Sequence, residues 1–570
     1  MTLADGPTQR HIHSPVRVET SRASTSLDSS RQREACDKPV GAHVRNAGVA
    51  ICGRPAAAAI RFPIRDASWQ TSNCSGVPLR NDSSSASPQG AGDPDVFVSS
   101  DRITVTGAPA ASMLGWSSWA VFEWARNPYV ILVTIYVFAP YFSTQVVGDP
   151  VRGQALLGDA NKYAGLMIAI LAPFAGAIAD RSGRRKPWIA CFVLLMVPAM
   201  AALWFSVPGE GGIGVLPTLI CIIVIAMCFE FGAVFHNAML PHVAPATRIG
   251  FVSGLAISLG NVAGLLLMVS VLFLLALPGT VEWSWVPAEA WFGIDQERFE
   301  DARIVGPLTA AWLLLFALPL LLFTPDGTQG LGIRAAAREG LKEVRDTLRE
   351  LPHYRNIATY LMARMIYNDG LVGILIFGGV YAAGIFGWGT VHMLLFGIFM
   401  SAAAAIGGYV GGCMDDRLGS KRAILLSVGG TALLLCTGVS ITPEEILFVF
   451  PYDADTATRL WQAPYFNTLP ELLYFCNGLG FAMFVTSAFA SSRTMMARIS
   501  PPTMTTQFFG LYALSGTATA FLGPWMVGAM TAAFASQRVG YASLIILFVI
   551  GFIGMLFVRE ERATSHRDPR

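Results

Sequence analysis

The chain has 570 residues, of which 53% are hydrophobic and only 14% charged, with a mean hydropathy of +0.51 and a formal net charge of +2. Such values lie far from those of a soluble globular domain and describe a chain that crosses a bilayer repeatedly. The near-neutral balance indicates no nucleic-acid partner, and none of the nine cysteines forms a CxxC pair, so no disulfide framework, metal site or cofactor is indicated.

In chain order, residues 1–110 are rich in Ser, Ala, Arg, Pro and Gly and carry no sustained period, which predicts a disordered tail. No charged n-region followed by an apolar h-region occurs there, so the tail is not a secretory signal, and Met113 is a second candidate start. From Trp116 onward, apolar runs recur, each near the ~20 residues needed to cross ~30 Å of hydrocarbon. About twelve are predicted: 117–143, 162–181, 188–207, 214–238, 250–278, 307–324, 357–383, 390–412, 422–441, 471–492, 504–530 and 540–558.

Alternate loops hold the cations: Arg181 to Lys186, Arg248, the stretch 325–355, Arg417 to Arg422, Arg493 with Arg498, and Arg559 with Arg562. The positive-inside rule puts these loops, and both termini, in the cytoplasm of a cell with the protein in its inner membrane. Arg493 and Arg498 read as anchors at the inner surface, although Arg493 follows Ser491 and Ser492 on a helix expected to face the cavity. The opposite loop 279–306 is acidic, and its Trp283, Trp285 and Trp291 are expected at the headgroup level.

Residues 325–355 divide the chain into two sets of six spans. Within them Leu331, Ala335, Leu341, Val344, Leu348 and Leu351 recur at roughly helical intervals, with Arg338, Lys342, Arg345 and Arg349 on other faces. This predicts a linker helix lying on the cytoplasmic surface between bundles 111–324 and 356–558, with 559–570 as a short tail.

One pattern occurs twice. Gly176, Asp180, Arg181 and Gly183 in GAIADRSGRRK are matched by Gly412, Asp416, Arg417 and Gly419 in GGCMDDRLGSKR at a constant offset of 236 residues. Two homologous halves are implied. A glycine ending an apolar helix lets a neighbour approach closely. The aspartate can answer an arginine or a helix N-terminus, and cations such as Arg184 hold the turn on one side of the membrane. The paired hairpins resemble the signature loop of the major facilitator superfamily. Four stretches, FEWARNPY at 122–129, FHNAMLPHVA at 235–244, MIYNDG at 365–370 and SSRTMMARISP at 491–501 continued by FFGLYALSGTATAFLGP at 508–524, resemble its UMF1 or Atg22-like branch. Arg126, His236 and His242 depart from that branch's usual wording. The resemblance covers residues 115–558 and implies an all-α membrane protein of the major facilitator fold, with about twelve transmembrane helices in two pseudo-symmetric six-helix bundles.

Ionisable groups inside a membrane are costly and mark function. Asp369 is expected about 18 Å into its helix, near the midplane, and Arg364 about 10 Å in. Asn368, Gly370 and the following glycines suggest a helix broken at that depth. Asp369 is expected either to meet the solute or a proton, or to lock two helices through an arginine. Glu230, with Asn237 beyond it, is a proton carrier or half of a fixed ion pair. Glu123 either pairs with Arg126 or lines an inner mouth with Asn127 and Tyr129; Tyr136, Tyr367 and Tyr512 are further candidate contacts.

There is no phosphate-cradling GxxxxGK[ST] loop, no HExxH and no GxSxG in the sequence, so neither ATP hydrolysis nor an enzyme is indicated. The expectation is a monomeric secondary transporter of a small solute, with or without a coupled proton, working by alternating access. By family resemblance the solute is an amino acid. The alternative is a non-transporting receptor or lipid-handling protein on the same fold.

Overall fold

The computed structural model describes residues 103–561, apart from 280–283, 285, 329, 351–353, 389, 454–458, 463–464, 518 and 520–521. These residues belong to one unit, Gly92–Arg570. Trp283, Trp285, Arg562 and most of the expected tail lie outside the described residues, whereas Trp291 is exposed.

Eleven helices among the described residues are long and apolar enough to cross a membrane. In the first half they are α1 (Met113–Val146), α2 (Arg152–Ser182), α3 (Lys186–Phe205), α4 (Val215–Val243), α5 (Ala246–Ala276) and α6 (Glu300–Phe323). The linker helix α7 (Ile333–Glu350) follows. The second half holds α8 (Arg355–Phe386), α9 (Leu395–Leu418), α10 (Ser420–Val439) and α11 (Leu469–Ile499), then two shorter helices, α12 (Thr505–Thr517) and α13 (Leu522–Phe534), and α14 (Gln537–Leu556).

The predicted span 504–530 is therefore a broken helix. Its first piece ends at Thr517, and Pro524, in the first turn of the second, cannot supply the N–H that would continue the ladder. By contrast α8 runs unbroken through Asn368, Asp369 and Gly370, against expectation. Its glycines serve packing: a Cβ on Gly370 would lie 2.9 Å from Phe548, and one on Gly373 2.8 Å from Leu544. The break expected in α8 is found instead in its neighbour.

The expected tail boundary also moves. Ala246 N–H donates to Ile103 C=O at 2.8 Å and Ala111 N–H to Val243 C=O at 3.1 Å, so residues 103–111 strap the α4–α5 turn. Helix α1 begins just after, its first turn capped by Ser112, whose hydroxyl accepts from Gly115 N–H.

Helix α7 lies on α2. Its buried face is Ala336, Gly340 and Val344, whereas Leu331 and Ala335, expected on that face, are exposed. Gly340 sets the closeness, since a Cβ there would sit 2.9 Å from Ile178 N.

The halves meet along two helix pairs, α2 with α12 and α5 with α9. Glycine makes both contacts possible. A Cβ on Gly176 would lie 2.5 Å from Thr506 O, and one on Gly510 2.7 Å from Ala172 O. Gly250 and Gly254 interleave with Gly408 and Gly412, where a Cβ on Gly412 would lie 2.5 Å from Gly250 O.

Candidate functional site

Both repeated hairpins turn at a glycine with positive φ, +77° at Gly183 and +87° at Gly419. Each then delivers its aspartate to a helix start in the other half. Asp180 accepts from Thr506 N–H at 3.1 Å, Gln507 N–H at 2.9 Å and the Thr506 hydroxyl at 2.6 Å, all at the start of α12. Asp416 accepts from Gly250 N–H and Phe251 N–H, both at 2.7 Å, in the first turn of α5. A carboxylate on these free N–H groups answers both their hydrogen-bonding need and the positive helix end.

The cation nearest Asp180 is Arg185, not Arg184. Arg185 is buried, 3.1 Å from Asp180, and donates to the Thr506 hydroxyl at 2.9 Å, while Arg184 and Arg417 are exposed. Arg181 reaches Glu339 of α7 at 3.8 Å. Arg498, expected as a surface anchor, instead joins Asp415 at 3.0 Å, Asp416 at 3.4 Å and Glu560 at 2.6 Å.

A second repeated device escaped the sequence reading. Asp326 accepts from Arg185 N–H and Lys186 N–H, and Lys186 Nζ donates to Leu321 C=O. In the other half Glu560 accepts from Ser420 N–H and Lys421 N–H, and Lys421 Nζ donates to Leu556 C=O. The acid after the last span of each half thus caps the start of that half's third span.

Deeper in the bundle, Glu123 is buried and takes Arg126 Nε at 2.8 Å and Arg493 Nη1 at 2.8 Å. Arg493 is no surface anchor: it is 4% exposed, and it also donates to the Asn237 amide oxygen at 3.2 Å and to Ser253 hydroxyl and carbonyl oxygens at 2.9 and 2.6 Å. One guanidinium on α11 therefore binds α1, α4 and α5. Glu123 is a member of this cluster, paired with Arg126 as well as with Arg493. Asn127 packs on Gly260, and Tyr129 is buried beside Phe229. His236 is held by packing, stacked on Trp119 at 4.3 Å with its Nε2 2.8 Å from Trp119 O.

Next to this cluster lies a cavity of about 170 Å³ between α4, α8 and α12, lined by Glu230, Asn237, Arg364, Asn368, Tyr512 and small or apolar neighbours. Arg364 is buried, with its guanidinium 3.5 Å from the Tyr512 ring centroid. It donates to Tyr512 C=O at 2.9 Å and the Ser515 hydroxyl at 2.7 Å. Glu230, on the opposite wall, makes no ion pair within 4 Å among the described residues. Asn237 belongs to both places, since it lines the cavity and accepts from Arg493.

Two expected site residues face elsewhere. Tyr367 is buried and bonds the Ser492 hydroxyl at 2.7 Å. Asp369, fully buried, does not line the cavity; its carboxylate meets the Thr519 hydroxyl, between α12 and α13. Gly523 of α13 packs directly against the Asp369 backbone, where its Cβ would lie 2.7 Å from the carbonyl oxygen.

The fold matches that of solved transporter structures. The fold is similar to the proton:xylose symporter XylE, with a TM-score of 0.55 at 13% identity over 78% of this chain and 95% of that one. It is equally similar to the transporter FucP in its outward conformation, with a TM-score of 0.56 at 13% identity over 78% of this chain and 98% of that one. In sequence, the uncharacterised MFS-type transporter YxiO of Bacillus subtilis is 26% identical over 79% of this chain and 96% of its own length. Autophagy-related protein 22 of Cryptococcus neoformans is 22% identical over 53% of this chain, which spans 50% of that relative. Residues 246–568, more than half of the chain, match the family described as vacuole effluxer Atg22 like. The chain belongs to this Atg22-like family of major facilitator superfamily transporters.

Proposed function

We propose that the protein carries a small zwitterion, of the amino-acid class, by alternating access. A single observation carries this reading: Glu230 of one half and Arg364 of the other face the same cavity of about 170 Å³ without pairing with each other. An ammonium group against Glu230 and a carboxylate against Arg364 would complete both, and each charge is worth more there than in water because the walls are of low dielectric. Tyr512 and Ser515 hold the guanidinium still, so little side-chain freedom is lost on binding.

With both hairpin aspartates seated, the halves are closed at the end that carries the cationic loops. Taking that end as cytoplasmic, with both termini there and the protein in the cell membrane, this is the outward-facing state of the cycle. Release inward requires Asp180 and Asp416 to leave their helix starts and Arg493 to leave Glu123. Asp369 is assigned the proton. Its carboxyl sits buried beside Thr519, where it can take a proton in one state and give it up when the segment between α12 and α13 rearranges. The family's description as a vacuole effluxer fits this release toward the cytoplasm.

The test is a thermal-shift screen of purified protein with amino acids and with analogues lacking either the amine or the carboxylate, since a ligand of the native state raises stability by mass action. Zwitterions should raise the midpoint and the analogues should not, and Glu230→Gln or Arg364→Lys should remove the effect. A shift produced by uncharged sugars, or retained in Glu230→Gln, would overturn the assignment.

A further inference from the structure

Between α10 and α11 in the chain, at the end of the bundle away from the cationic hairpins and beside the start of α14, there is a small β-hairpin. Strands β1 (Glu445–Ile446) and β2 (Phe450–Pro451) pair antiparallel. The tip is built from Leu447, Phe448 and Val449, and continues into Phe450. All four are exposed, at 46%, 60%, 71% and 60%. Leu447 and Phe448 adopt left-handed conformations, with φ of +57° and +59°. A hairpin turn in water places Asn or Gly in that region because bulky side chains are strained there. Here two large apolar residues accept the strain and gain no protein burial from it.

The hairpin is nonetheless firmly held. Phe448 N–H reaches Ser440 C=O at 3.4 Å, and Thr442 N–H donates to Glu445 C=O at 2.8 Å. Arg538, in the first turn of α14, donates to Val439 C=O at 2.6 Å, lies 4.0 Å from Glu445, and places its guanidinium 4.3 Å from the Phe448 ring centroid. The tip is thus tied to the last residue of one membrane span and the second residue of another, which fixes it at the depth where spans leave the hydrocarbon. Neither α10 nor α14 lines the central cavity. Both carry exposed apolar residues, with Leu433 at 65% on α10 and Ile546 at 49% on α14, and the hairpin is tied to the ends of both helices. Glu444 and Asp453, both exposed, flank the apolar run.

We propose that this hairpin is a lipid-inserting anchor: Leu447, Phe448, Val449 and Phe450 enter the boundary between headgroups and acyl chains on the far side of the membrane and pin the second half at that level. Lipid is the partner that fits, because the patch is apolar, uncharged from Ile446 to Pro451, tied to the ends of two helices that carry exposed apolar residues and placed at interface depth. The Arg538 guanidinium over Phe448 is the cation that stays with the headgroups while the rings go deeper.

The test uses the full chain in lipid nanodiscs, with Val449→Trp and, as an independent second variant, Phe450→Trp, each read as the difference from the parent protein's fluorescence. Acyl chains brominated near the headgroup should quench the added emission by about twofold, as expected of an apolar side chain buried ~5–10 Å into the boundary, and aqueous iodide should quench it little. Quenching by iodide and not by bromine would put the tip in water and overturn the proposal. Quenching by neither would show a tip covered by protein, a second copy or another chain, and would overturn it equally.

Discussion

Arg493 Nη1 stands 2.8 Å from Glu123 Oε1, tying the fourth helix of the second half to the first helix of the first half in a buried ion pair. Removing one partner of such a pair leaves the other charged and unsatisfied, at a cost of about 3–5 kcal/mol. Arg493→Ala and Glu123→Ala should each lower the melting midpoint in detergent sharply. Glu123→Ala with Arg493→Ala should cost less than the two single losses added, with a coupling of about 1–3 kcal/mol. Strict additivity in that cycle would mean the contact carries no stability.

The hairpin aspartates should act on conformation before stability. A carboxylate on a partly buried helix start contributes up to about 2 kcal/mol. Asp180→Asn and Asp416→Asn should therefore shift the balance toward opening at the cationic end on the order of tenfold, with the fold intact. Cysteines placed on either side of the α2–α12 contact and probed with thiol reagents in inverted and right-side-out vesicles will read this. Unchanged accessibility in both variants would remove the aspartates from the gate.

Glu230 and Asp369 should separate in function. Glu230→Gln is expected to lose solute binding, since the residue lines the cavity. Asp369→Asn is expected to keep binding and lose concentrative uptake together with its pH dependence, because the residue lies outside the cavity. Wild-type uptake with unaltered pH dependence in Asp369→Asn would make that carboxyl structural.

Truncation should have a sharp edge. Deleting residues 1–100 should leave insertion and melting unchanged, whereas deleting 1–111 removes the strap on Val243 and Ala246 and should lower the melting midpoint. Equal behaviour of the two truncations would show that the strap contributes nothing.

Topology can be checked with impermeant thiol reagents on intact cells. Cysteines introduced at 286–299 should label from outside, and those at 334–345 should not. Labelling of the linker helix from outside would invert the assigned orientation.

Spans and hairpins were legible in the sequence because their signals are local: unbroken apolar length, and a motif repeated at one offset. Contacts between distant segments were not. Arg493 reads as a surface cation because it lies six residues from the end of its helix, and the burial that makes it central comes from Glu123, 370 residues away. One signal was available in its small polar neighbours Ser491, Ser492 and Thr494, unusual for a lipid-facing turn. The caps at Asp326 and Glu560 lay within reach of the repeat argument, at matching places just after the last span of each half. The break after Thr517 was marked by Pro524, yet hydropathy alone reads straight through Leu522 to Phe534 as one continuous span.

The glycine-lined contacts between the halves have a mechanical consequence. Where α5 meets α9, and α2 meets α12, backbone lies on backbone at the glycines, with one aromatic contact, Phe251 on Tyr409, across the α5–α9 pair. Such close-packed surfaces can act as bearings, across which one body tilts over the other. If Asp180, Asp416 and the Arg493–Glu123 pair are the latches proposed above, much of the resistance to that tilt falls on a few charged contacts, and altering any one of them should retune the switching rate while leaving the bearings untouched.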